Sequence, residues 1–244
     1  MKNKNLLLLI LLAAILGIAA YLLNSGSKPS TPRLNGRTLL PDLEVSSIAK
    51  IECGKLVLSA GDNGWVIDSY FGYPASRERL INNLLRLAEL KVGQVVRGKK
   101  PGSTTALKLF GADGATLGEL NLGEKHPKYG HGRYLVFEGE TVLVADALEP
   151  FDGDEKQWLN TKIVDEPWIS FNRLAQEKDE AIYGFATGVV AKVTIAGDTN
   201  RTITVGAPVK GGSDRYLKLD GEKWVYEVSN YSVEKFLPKS AETK

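Results

Sequence analysis

The sequence has 244 residues, 43% hydrophobic and 25% charged, with 31 basic against 29 acidic side chains. These are the proportions of folded domains and exclude a disordered or fibrous chain. Two of the positive charges, Lys2 and Lys4, precede an apolar run, so the rest carries 29 basic and 29 acidic residues. That balance gives no positive field for a phosphate backbone, and no nucleic-acid partner is expected.

From Leu6 to Leu23 the chain reads LLLLILLAAILGIAAYLL, eighteen residues without a charge. As a helix this run extends roughly 27 Å, close to the hydrocarbon thickness of about 30 Å. It predicts a single transmembrane helix. The run is longer than a typical secretory signal core, but Gly17, Ala19 and Ala20 keep a cleaved signal as the alternative. Lys2 and Lys4 at its start, with no acid before Asp42, put the N-terminus in the cytoplasm and the bulk outside. The segment NSGSKPSTPRLNG, residues 24–36, lacks periodicity and reads as a tether.

Between residues 47 and 68 apolar positions alternate around Gly54 and Gly61 to Gly64, which predicts short antiparallel strands. Ser76 can cap a helix in which Leu80, Ile81, Leu84, Leu85, Leu87 and Ala88 recur at spacings of three and four. This helix should lie on a sheet with its polar side in water. Two hairpins follow, one turning at GADGA and one at Glu138 and Gly139. Residues 147–160 read as a short helix and loop, and Trp168 to Glu180 as a further helix. Cys53, the single cysteine, excludes an intrachain disulfide and suits a buried thiol.

An internal repeat organises the second half. Glu119 to Ala147 corresponds to Thr202 to Ser229: Arg133, Tyr134, Leu135, Gly139 and Glu140 recur 82 positions later as Arg215, Tyr216, Leu217, Gly221 and Glu222. Gly123 matches Gly206. The Arg–Tyr pair at one strand position in both halves points to a packing or cross-strand role.

Both histidines fall in the loop GEKHPKYGHGR. Its Lys125, His126, Lys128, His131 and Arg133 form the candidate site for an anion or a partner, through charge-assisted hydrogen bonds. Two histidines five apart on a loop are weak as zinc ligands. The matching loop, GAPVKGGSD, keeps neither histidine, which favours an ordinary solvated turn. Asp152, Asp154 and Glu155 resemble a fragment of a calcium loop without its remaining ligands. No phosphate loop or nucleophile elbow occurs. No catalytic residue, metal ligand or cofactor is assigned.

Gly64-Trp65-Val66-Ile67, the Pro74-Ala75-Ser76 lead-in to the helix, Leu122-Gly123 through Arg133-Tyr134, and Leu143-Val144 together resemble a bacterial family of membrane-anchored proteins, domain of unknown function 4340. The resemblance covers roughly residues 45–165 and the anchor. Ser76 stands where the family usually has an acidic cap. The resemblance implies an extracytoplasmic accessory protein, commonly encoded beside ABC transporters similar to those of gliding motility, and transfers no catalytic residues.

The expected fold is α+β: mostly antiparallel sheets built from two related β-meanders with one long amphipathic helix, on a single N-terminal transmembrane helix. Its parts are an anchor over 1–23, a linker over 24–36, a first repeat over 37–160 and a second, shorter meander over 161–244. The expected function is a non-enzymatic, extracytoplasmic accessory or binding module of an envelope transport complex in a bacterial inner membrane. Its partners would be the membrane, through residues 6–23, and envelope proteins such as ABC transporter subunits. The alternatives are a scaffold or adaptor in a surface or secretion apparatus, and a carboxylate-based hydrolase acting on envelope polymers.

Overall fold

A computed structural model describes residues 34–128, 130–163, 169–176, 180–196 and 200–237. The expected membrane anchor, and the linker up to residue 33, lie outside the described residues. Among the described residues no helix is long and apolar enough to cross a membrane. Within the expected linker, Leu34 is buried and Gly36 donates its N–H to the carbonyl of Val92, so these last residues are packed.

The chain divides into two compact units, described separately. One contains residues up to Leu43, Leu87–Thr105 and Leu120–Ala147; the other contains Glu44–Arg86, Ala106–Glu119 and the chain from Leu148 on.

The second unit begins with strands β1 (Lys50–Cys53), β2 (Leu56–Gly61), β3 (Gly64–Ile67) and β4 (Tyr73–Pro74). Each pairs antiparallel with the next. On the other side of β1 lies β6 (Thr105–Phe110), with Ile51 opposite Leu109 and Cys53 opposite Leu107. All four side chains are at most 1% exposed, and the Cys53 thiol donates to the carbonyl of Phe151.

Helix α1 follows the edge strand and runs Arg77–Ala88. The Ser76 hydroxyl accepts from the N–H of Arg79, which caps its first turn. The expected long helix is in fact short, at twelve residues. It stops because the next segment is taken for pairing: Leu39 N–H donates to Leu90 O and Val92 N–H to Arg37 O. Leu80, Leu84 and Leu87 are buried, whereas Ile81 and Leu85 stay exposed. The apolar stripe is therefore wider than the surface that covers it.

In the first unit, β7 (Thr116–Lys125), which enters it at Leu120, is followed by β8 (Arg133–Phe137) and β9 (Glu140–Val144), and β5 (Gln94–Val95) joins the far side of β9. Glu138 and Gly139 both take positive φ in the tight β8–β9 turn. In the second unit the order is β10-β14-β13-β12-β11, from β10 (Phe171–Leu174), β11 (Ala191–Ile195), β12 (Arg201–Pro208), β13 (Arg215–Leu219) and β14 (Val225–Val228). In each meander a strand that comes earlier in the chain, β5 or β10, adds to the edge of the last one.

Two further segments differ from expectation. Residues Phe171–Leu174, read as helix, form β10. A register shift between Phe171 and Arg173 leaves Phe171 and Leu174 buried with two exposed residues between them, a spacing that imitates a helical turn. Residues 147–160 hold two 3-10 turns, Glu149–Phe151 and Glu155–Trp158. Trp158, in that irregular stretch, is fully buried and donates its indole N–H to Pro150 O.

Candidate functional site

The histidine loop is shaped by the bulge that precedes it. The register of β7 against β8 shifts between Leu122 and Lys125, which sets Lys125 opposite Arg133. His126 N–H donates to Gly132 O (2.8 Å), its Nδ1 accepts from the N–H of Lys128 (3.2 Å), and its ring packs on Tyr134 at 5.4 Å. His126 thus closes the loop at its base. Lys125, Lys128 and His131 are exposed. Tyr129 lies outside the described residues.

Arg133 is placed differently from the others. It is 8% exposed, donating Nε to Gly123 O at 2.8 Å and Nη1 to Ala147 O at 3.1 Å. Above the same strands Lys99 lies 2.7 Å from Glu124, which raises its pKa, and 3.8 Å over the ring of Tyr134. Among the described residues no cluster of His, Cys, Asp or Glu could hold a metal ion.

The described residues of the second unit line a smaller and a larger concavity. The smaller, about 380 Å³, includes Tyr73, Asn160, Arg201, Glu222, Trp224 and Tyr226 in its lining. Tyr226 Oη donates to Glu222 at 2.5 Å, Arg201 lies 3.4 Å from the same carboxylate, and Tyr73 Oη donates to Asn160 O at 3.1 Å. Burial pushes the Tyr73 phenol up to about 12. Burial, and the proton shared with Glu222, push Tyr226 up as well. Both phenols therefore remain protonated donors at neutral pH. The three rings of Tyr73, Phe171 and Tyr226 meet edge-on or tilted at 5.1 to 6.3 Å. One carboxylate, Glu222, lines this cleft, together with Lys162, Arg201 and Lys223.

The larger concavity, about 840 Å³, is a groove between α1 and the β2–β3 hairpin. Ile48, Ala60, Trp65, Leu80, Ile81 and Leu84 give it an apolar floor, Arg77 is the single charge along it, and no acid lines it.

Sequence reasoning named the loop but neither concavity. The cleft draws on residues near positions 73, 160, 201 and 224, which no local spacing connects. Only Ile81, an apolar position of α1 in excess of a normal buried stripe, carried a local sign of the groove.

A family model described as Domain of unknown function (DUF4340) matches residues 65–182. Over that stretch the chain is similar to the DUF4340 family. The DUF4340 stretch starts later and ends later than the residues that carried the resemblance in the sequence. It takes in α1, the histidine loop, β10 and the turn at Glu180 to Ile182, and leaves out the N-terminal run. The helical wall of the groove lies inside it, whereas Arg201, Glu222, Trp224 and Tyr226 of the cleft lie beyond it. No curated protein and no solved structure matches the chain.

Proposed function

We propose that this chain is a membrane-anchored, extracytoplasmic accessory or binding module of an envelope transport complex, acting by contact and not by catalysis. The observation that carries the binding part is the apolar groove along α1, lined by Leu80, Ile81 and Leu84, where Ile81 is 38% exposed. Apolar surface left open beside a concavity is what a partner covers. Arg77 stands in the first turn of the helix, where the helix dipole disfavours a cation, and no acid lines the groove. The matching occupant is an apolar polypeptide segment of a transporter subunit that carries an acidic residue. The exposed Lys125, Lys128 and His131 of the histidine loop offer a second contact for an acidic surface. Attachment rests on the uncharged run Leu6 to Leu23 behind Lys2 and Lys4, and the transporter on the family resemblance.

The test is photo-crosslinking of the full chain in its native membrane, with the reactive side chain at position 81 and a control at Lys210. Adducts to a transporter subunit at 81, reduced by Arg77→Glu, are expected. Recovery of uncrosslinked chain alone at both positions would sink the reading.

The scaffold alternative draws support from the outer edge of β11, which no described strand pairs. The hydrolase alternative requires two facing carboxylates; the polar cleft offers Glu222, already bonded to Tyr226 and Arg201.

A further inference from the structure

The polar cleft of the second unit is built on a turn that the repeated meander does not require. In the first meander the last opposed pair of β8 and β9 is Phe137 and Glu140, so Glu138 and Gly139 make the turn. In the second, the last opposed pair of β13 and β14 is Lys218 and Val225, and the longer stretch 219–224 lies between them. Glu222, Lys223 and Trp224, all from that stretch, line the cleft. The facing wall is tied in place. Tyr73 Oη donates to Asn160 O at 3.1 Å, Asn160 N–H donates to Pro74 O at 3.1 Å, and the Tyr73 ring meets Trp224 edge-on at 5.3 Å. A cavity whose walls are bonded to one another is preorganised and loses little entropy when a ligand enters.

The lining selects what enters. Lys162, Arg201 and Lys223 bring positive charge against the single carboxylate of Glu222, so the ligand that fits is an anion. That carboxylate is part of the wall: Oε2 accepts from Tyr226 at 2.5 Å, and Oε1 lies 3.4 Å from Arg201. A carboxylate oxygen has more than one acceptor site, so Glu222 still takes hydrogen bonds from hydroxyl groups, whereas it repels an anion with no proton to donate, such as sulfate. An ammonium group finds no surplus negative charge there, because Arg201 already offsets it. Half-buried Trp224 adds an aromatic surface, against which the C–H face of a sugar ring packs. Lys223 Nζ lies 4.3 Å from the centroid of that ring and sets a positive charge beside it. An anionic group, several hydroxyls and an apolar ring face occur together in an acidic sugar. The volume, about 380 Å³, is at the small end for ligand pockets and suits a hexose-sized ring. We propose that the cleft binds a sugar ring that carries an anionic group, with the anion held by Lys162, Arg201 and Lys223 and the hydroxyls by Glu222.

Sugar binding here is independent of the transporter contact at α1, since Lys162, Glu222 and Lys223 line the cleft and not the groove. The test is isothermal titration of the full chain in detergent with glucuronate, glucose 6-phosphate, glucose and sulfate. At least one of the two acidic sugars should bind with a Kd of about 0.1–1 mM, and the tighter one identifies the anionic group as carboxylate or phosphate. Glucose and sulfate should each bind about ten-fold more weakly or worse. Lys162→Gln and Lys223→Gln should each weaken the acidic sugar by about three- to ten-fold; both lysines are exposed, so neither change threatens the fold. Glu222→Gln separates a site that reads hydroxyls from a plain anion site. It relieves the repulsion of sulfate and removes the charged acceptor for hydroxyls, so the affinity ratio of acidic sugar to sulfate should fall roughly ten-fold. No binding of either acidic sugar, glucose or sulfate binding as tightly as the better of them, lysine variants that bind like the parent, or an unchanged ratio in Glu222→Gln would each overturn the assignment.

Discussion

Arg133 donates its Nε to the carbonyl of Gly123, 2.8 Å away, and Arg215 repeats the contact by reaching Gly206 O with Nη1 at 3.5 Å. In both meanders the acceptor sits in a register shift, between Leu122 and Lys125 in one and between Val205 and Pro208 in the other. A bulge leaves a backbone carbonyl without its ladder partner, and the arginine of the next strand satisfies it. The repeated Arg–Gly pair is therefore a structural clamp.

Arg133→Ala should destabilise the chain by about 2–4 kcal/mol, because two carbonyls, Gly123 and Ala147, lose a charged donor in a buried place. Arg215→Ala should cost less, since its contact to Gly206 is longer and Asn230 supplies its nearer partner at 2.9 Å. Urea unfolding of the two variants gives the order. Equal, negligible losses would mean that the arginines serve a ligand instead.

The glycines should be as sensitive as the arginines. A Cβ on Gly123 would stand 2.7 Å from Pro101 Cβ and 2.9 Å from Tyr134 O, and on Gly206 it would collide with Tyr183 O and Phe185. Backbone atoms cannot swing aside as a long side chain can. Gly123→Ala and Gly206→Ala should each cost about 1–3 kcal/mol or more, with Gly206 the worse, as read by thermal unfolding.

Adjacent leucines of α1 should behave oppositely. Leu84, 2% exposed, should cost about 2–5 kcal/mol as Leu84→Ala. Leu85, 47% exposed, should change stability by no more than about 0.5 kcal/mol. A large loss at Leu85 in the isolated chain would show that its surface is already covered.

Alkaline pH should weaken the chain through Tyr73. Its folded pKa of about 12 exceeds the unfolded value of 10.0. Below pH 10 both states hold the proton and nothing changes; between 10 and 12 the unfolded chain loses it and the folded chain does not, so stability falls as pH rises. The loss should approach about 2 kcal/mol and should shrink in Tyr73→Phe. Denaturant midpoints across this range measure it, and a Tyr73→Phe variant with an unchanged alkaline slope would refute the assignment.

The histidine loop illustrates how much of the site was legible. Its polar residues were visible as a cluster, and the repeat already set Arg133 apart by pairing it with Arg215. What spacing could not show is that His126 folds back on Tyr134 and Gly132, or that Tyr73, Asn160, Glu222 and Trp224 converge on one cleft. Such convergence depends on how distant strands are ordered, which leaves no local period in the chain.

Strand alternation, the glycine turns, the Ser76 cap and the duplicated meander were fixed by local chemistry, because each depends on neighbours within a few residues. Tertiary pairing decided the rest. It ended α1 at Ala88 by engaging Leu90 and Val92 with the chain near Arg37, and it turned Phe171–Leu174 into a strand despite helix-like spacing. It also buried Trp158 in an irregular segment and, among the described residues, left β11 at the edge of its sheet. Propensity and pattern are worth tenths of a kcal/mol per residue, whereas burying one large side chain is worth about 1.5–3 kcal/mol, so where the two compete the packing of distant segments wins.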